Sequence, residues 1–323
     1  MVDVFQGKFW DSVEKSSRGI ELARLANDKE AELEHQYWCG GTRPLVGDAQ
    51  QATLNLEHML VLAEEFQHSF WLATVSWSMA QAATCLGDWE SARQHSERGL
   101  ELFPNDCRNL AVRMQVAAEL GEFNQGKRYM ENLVSSVRMS PRGPTFEYMV
   151  AALGIPLFDR IAGGADQLDA AQDAADAILS GDNSSTVLRW GAMAGSALSS
   201  IREGDRSASA DHYKSLLSGR GTVTVAVSLV LDRLLGLLAQ SFGDLSLASE
   251  HFEDAMTFCS NAGYRPELAW ICCDYADALI ELDGKGDRAK AVALLEESLA
   301  ISTELGMRPL TERVQIRLNN LSA

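Results

Sequence analysis

The stretch Leu235-Gly-Leu-Leu-Ala-Gln-Ser-Phe-Gly243-Asp-Leu-Ser-Leu-Ala248-Ser-Glu-His-Phe252-Glu-Asp-Ala255 decides the fold. Gly243 sits where one apolar helical pattern stops and another starts. Glycine tolerates the positive φ that ends a helix in a tight turn. Asp244 suits the start of the next helix, where the dipole favours negative charge. Beyond the turn, Ala248, Phe252 and Ala255 share one helix face. Before it, Leu235, Gly236 and Ala239 give the partner helix its packing positions. The reading is two antiparallel helices joined at Gly243.

The same unit recurs along the chain. Turn glycines are Gly7, Gly47, Gly87, Gly121, Gly164, Gly204, Gly243 and Gly286, spaced 34 to 43 residues apart. An acid follows six of them, as in Gly47-Asp48, Gly87-Asp88, Gly121-Glu122, Gly204-Asp205, Gly243-Asp244 and Gly286-Asp287. Small or packing residues come next at matching offsets: Ala52, Leu56 and Met59; Ala92, Ser96 and Gly99; Ala291, Leu295 and Ser298. The pattern is weaker at Ala170, Ala174 and Ala177 and at Ser209, Tyr213 and Leu216. This periodicity predicts an all-α solenoid of about seven to eight antiparallel helix pairs over residues 1–323, in one unit. Residues 308–321 read as a final capping helix.

Turn-rich clusters link the pairs, as at 139–144, 180–184, 218–222 and 261–266. Gly154-Ile155-Pro156 lies inside an apolar segment and is expected to kink or break its helix. Thr222-Val-Thr-Val-Ala-Val227 alternates briefly and reads as the lead-in to the helix that follows. The pattern after Gly7 is that of a second helix without its partner. The chain therefore reads as a fragment beginning in mid-repeat, or as one whose first face a partner covers.

Composition narrows the function classes. With 46% hydrophobic and 23% charged residues the chain buries a sizeable core. Lys and Arg number 28 against 45 Asp and Glu, a formal net charge of −17. That balance argues against direct nucleic-acid binding and against an anionic membrane. No apolar run is long enough to span a bilayer, and the first residues lack a secretory signal. The expectation is a cytoplasmic protein. The six cysteines form no C-x-x-C pair and read as buried apolar residues.

Taken together, Leu235-Gly236, Gly243-Asp244, Ala248, Phe252 and Ala255, with Pro104 closing the unit that turns at Gly87, resemble the tetratricopeptide consensus. The resemblance implies a right-handed superhelix whose first helices line a concave groove. A narrower likeness lies in Ala262-Gly-Tyr-Arg-Pro-Glu-Leu-Ala-Trp270, Asp274-Tyr-Ala-Asp-Ala278, Gly286-Asp-Arg, Ala300-Ile301 and Glu304-Leu-Gly-Met-Arg-Pro-Leu310. These residues are similar to the closing repeats of MalT-like regions in bacterial signalling regulators. There such arrays accompany regulatory ATPases, LuxR-type helix-turn-helix domains or adenylate/guanylate cyclases. The resemblance implies a regulatory interaction module and an effector domain covalently linked in a longer protein.

Catalytic motifs are few. Gly121-Glu-Phe-Asn-Gln-Gly-Lys127 approaches a phosphate loop, but Arg128 replaces the metal-binding Ser/Thr and no strand precedes it. Gly40-Gly41 and Gly284-Lys-Gly286 likewise follow helical segments. No H-E-x-x-H or G-x-S-x-G occurs. The expectation is a non-catalytic module with no cofactor and no metal, binding a protein, a peptide or a small effector. The alternative is a piece of a nucleotide cyclase or regulatory ATPase whose catalytic domain lies elsewhere. The tetratricopeptide resemblance places groove candidates at Trp77, Gln81, Thr84, Arg108, Gln115, Glu119, Arg233, Gln240, Trp270 and Asp277. Trp and Arg dominate binding hot spots, so Trp77, Arg108, Arg233 and Trp270 lead. On this reading Arg233→Glu weakens partner binding without unfolding the array. Trp10, Trp38, Trp71, Trp89 and Trp190 are assigned to the core.

Overall fold

The computed structural model describes every residue except Met1, Ala165, Asp166, Asp182 and Ala323, and of Ser322 the backbone alone. Asp182 of the 180–184 link thus lies outside the described residues. Among these residues the fold is all helical, and extended pairing is confined to one isolated bridge, Val223 with Val230. The helices are α1 (Val2–Phe5), α2 (Phe9–Ala26), α3 (Lys29–Thr42), α4 (Ala49–Glu65), α5 (Ser69–Leu86), α6 (Trp89–Leu102), α7 (Cys107–Glu119), α8 (Phe123–Met139) and α9 (Phe146–Ala162). They continue as α10 (Leu168–Leu179), α11 (Thr186–Glu203), α12 (Arg206–Leu216), α13 (Leu231–Phe242), α14 (Leu245–Ala262), α15 (Arg265–Leu282), α16 (Asp287–Glu304) and α17 (Arg308–Ser322). Each helix packs on the next.

All eight turn glycines adopt left-handed backbone, with φ between +67° and +95°. At Gly243 the N–H bonds back to the Ala239 and Gln240 carbonyls and closes α13. Asp244 then caps α14, its carboxylate accepting from the Leu247 N–H at 3.1 Å. Asp88 and Asp205 do the same for α6 and α12. Two other acids take side-chain partners instead. Asp48 pairs with Arg43, and Glu122 pairs with Arg93 at 2.6 Å.

The helix faces read from the pattern are the core. Ala248, Phe252, Ala255, Ala52, Leu56, Met59, Ala92, Ala291 and Leu295 are all fully buried. Small residues set how closely helices approach. At Gly195 of α11, a Cβ would lie 1.9 Å from the Ala152 carbonyl oxygen of α9.

The last helices also meet elements far earlier in the chain. The Tyr264 hydroxyl donates to the Pro44 carbonyl at 2.8 Å. The Trp89 indole donates to the Leu305 carbonyl at 2.8 Å, and Arg308 Nε to the Leu120 carbonyl at 2.7 Å. A repeat array in which each unit touches only its neighbours makes no such contacts. Here the region from Tyr264 to α17 packs back onto the link after α3 and onto α5 to α7.

Three expectations are corrected. α9 runs through Gly154-Ile155-Pro156, so the break allowed for there does not occur. Residues 222–227 do not lead into a helix: they form an irregular loop, because Val223 N–H bonds to the Leu45 carbonyl and Thr224 N–H to the Leu229 carbonyl. Trp10 is 60% exposed, so it is not core. No helix among the described residues is long and apolar enough to cross a membrane.

Candidate functional site

A cavity of about 620 Å³ opens beside the N-terminal ends of α7, α9 and α11. Its size falls within the usual range for small-molecule sites. Its walls are rich in aromatic rings: Phe5 from α1, Tyr37 and Trp38 from α3, Phe70 and Trp77 from α5, Phe103 from the link after α6, and Phe146 from α9. Phe70 and Phe103 are exposed. Trp77 meets Phe146 edge-on with centroids 5.9 Å apart, and Tyr37 lies 4.7 Å from Trp38.

One polar cluster interrupts this lining. Asp106 caps α7, its carboxylate accepting from the Arg108 and Asn109 N–H groups. The same carboxylate accepts from Arg108 Nε at 3.0 Å and from its terminal nitrogen at 2.6 Å. Held in this fork, the Arg108 guanidinium sits 5.2 Å from the Trp77 ring centroid and reaches the Thr74 hydroxyl at 3.3 Å. Burial opposes its charge, but the bonds to Asp106 outweigh that and raise its pKa. Tyr37 stands beside the pair. Burial pushes its phenol pKa up, only partly opposed by the Arg108 charge, so the hydroxyl stays protonated. No hydrogen bond engages it within the described residues. Glu147, in the first turn of α9, also lines the cavity. The Trp77 indole nitrogen is buried without a partner.

Of the residues nominated from sequence, Trp77 and Arg108 reach this cavity. Gln81 and Gln115 do not. They bind the loop before α13: Gln81 Nε2 donates to the Thr224 carbonyl at 3.5 Å, and Gln115 accepts from the Ser228 N–H at 2.9 Å. The groove positions there are thus covered by the chain itself. Thr84 is buried, with its hydroxyl donating to the Ala80 carbonyl.

Arg233 and Trp270 are 2% and 1% exposed, so neither faces an open groove. Arg233 bridges Glu267 and Asp274, each at 2.8 Å. Its guanidinium stacks on Trp270 at 5.2 Å, with Arg313 of α17 stacking there at 4.9 Å. Trp270 donates to Glu119. Gln240 donates to Glu281 at 3.1 Å, and Asp277 pairs with Arg317 at 2.6 Å. The residues that sequence reasoning missed are Tyr37, Phe146, Glu147 and the rim phenylalanines. Trp38, assigned to the core, is half-buried and lines the cavity. The Tyr37-Trp38 pair before Gly40-Gly41 was the available signal.

Among the described residues, Asp232, His251 and Asp254 form a cluster with metal-ligand chemistry. Arg220 already pairs with both carboxylates. His251 Nε2 bonds the Tyr213 hydroxyl at 2.9 Å. The guanidinium supplies the positive charge that a metal would bring, so the cluster reads as an ion-pair network.

The chain matches no family model and no curated protein.

Proposed function

We propose that this chain is a non-catalytic sensor or interaction module, a right-handed superhelix of tetratricopeptide-like helix pairs that binds a small effector. It serves as the regulatory part of a larger signalling protein. The observation that carries this reading is the aromatic cavity with its polar cluster of Tyr37, Arg108 and Asp106. Concave apolar sites with a few convergent polar groups are the usual form of small-ligand pockets. A small effector is favoured over an extended peptide because the chain's own loop occupies Gln81 and Gln115.

Isothermal titration with an uncharged naphthalene derivative tests it. The expected result is saturable binding at one molecule per chain, weakened in Val225→Phe, which narrows the cavity, while helical circular dichroism is kept. Equal binding by that variant, or none by the native chain, contradicts the reading.

A further inference from the structure

The cavity walls also carry information about the ligand's polar group. The charges nearest that group are already matched. Arg108 and Asp106 neutralise each other through two short bonds, and Arg108 spends a further donor on Thr74. The remaining charge on the lining is Glu147, which has no ion-pair or hydrogen-bond partner among the described residues. The lining side chains therefore carry a net negative charge, and a carboxylate ligand would meet the unpaired Glu147. An ammonium ligand would lie against a guanidinium that already occupies a face of Trp77.

Tyr37 differs from these groups. Its ring is held between Trp38 and Trp71, at 4.7 and 5.7 Å. Its hydroxyl is uncommitted, on a residue that lines the cavity beside the Arg108–Asp106 pair. A phenol donor there exchanges water for a ligand's acceptor, and the bond strengthens as the ligand body displaces water around it.

Resting on the proposed small-effector site, we infer that the ligand is an uncharged aromatic molecule bearing a carbonyl-type acceptor, and that the Tyr37 hydroxyl donates the hydrogen bond that recognises it. The aromatic walls select the planar body by edge and face contacts. The acceptor fixes its orientation beside the Arg108–Asp106 pair. Tyr37 is then the specificity-determining residue of the cavity, and its ring and its hydroxyl have separable roles.

Matched probes separate those roles: 2-acetylnaphthalene, 2-isopropenylnaphthalene, 2-naphthoate and 2-naphthylmethylammonium. The first two differ by an oxygen-for-methylene exchange. Affinities are measured by titration calorimetry on the full chain and on Tyr37→Phe, which keeps the ring. The ketone is expected to bind about tenfold tighter than the alkene and than either ion. Tyr37→Phe is expected to remove that tenfold advantage and leave the alkene unchanged. Equal binding of ketone and alkene, or tighter binding of either ion, overturns this inference while leaving the cavity as a ligand site. Binding by none of the four overturns both. Unchanged ketone affinity in Tyr37→Phe, with native helical circular dichroism, refutes the role of the hydroxyl alone.

Discussion

Trp270 of α15 donates its indole N–H to the Glu119 carboxylate of α7 at 2.9 Å, joining residues 151 positions apart. Glu119 is buried, and burial raises its pKa from 4.5 to about 7, against the pull of the Trp270 bond and of Arg233. Between those two values the folded chain holds a proton that the unfolded chain has released. Stability contributed by this group is therefore full below about pH 4.5 and falls as pH rises to about 7. Glu119→Gln keeps an acceptor for Trp270 and cannot ionise. Relative to the native chain, the variant should gain on the order of 2–3 kcal/mol at pH 8 and little at pH 4.5. Denaturant melts at the two pH values check this; an equal difference at both contradicts it.

Arg233 is a structural residue. Removing it leaves Glu267 and Asp274 facing each other in the core, with Arg160 still 3.0 Å from Asp274. Arg233→Met should cost about 3–5 kcal/mol, the usual penalty for orphaning buried charge. Arg233→Glu places a third carboxylate there and should abolish folding, seen as lost helical circular dichroism. That reverses the expectation drawn from its place in the repeat.

Gly195→Ala tests the closest helix approach. The added methyl would fall 1.9 Å from the Ala152 carbonyl oxygen, and backbone cannot move aside cheaply. The loss should be about 3 kcal/mol, at the upper end for overpacking. A melt within about 0.5 kcal/mol of the native value would mean that α9 and α11 lie further apart.

The six cysteines are all free and buried. Burial raises the Cys85 and Cys273 thiols to about 12, so the reactive thiolate is scarce at neutral pH. Native chain should release almost no chromophore from a thiol-specific disulfide reagent in minutes, and six equivalents in denaturant. Rapid native reaction contradicts that burial.

Local chemistry explains what was legible in the sequence. Gly87 and Gly243 were readable as turns because positive φ is a property of glycine itself, and the acids beside them act within three residues. The helix faces followed from spacing. The packing of the last helices onto earlier ones was not legible, because Tyr264 with Pro44 and Arg308 with Leu120 join residues 220 and 188 positions apart. The loop at 222–230 misled for the same reason: its backbone partners include Leu45, far away in sequence. At the site, Trp77 and Arg108 lie in first helices and were reachable by repeat register. Tyr37, Phe103 and Phe146 arrive from another pair, a link and a helix start, which register does not address.

The central claim is that the cavity beside Trp77 is the ligand site. Seven tryptophans report on it separately, through their indole ¹⁵N–H signals in nuclear magnetic resonance. Titration with 2-acetylnaphthalene should shift Trp77 and Trp38, which line the cavity, along one saturable curve. Trp270, in the core, and Trp10, on the surface, should stay fixed. Shifts at Trp270 or Trp10 with none at Trp77 and Trp38, or no saturable shift at all, would contradict the account.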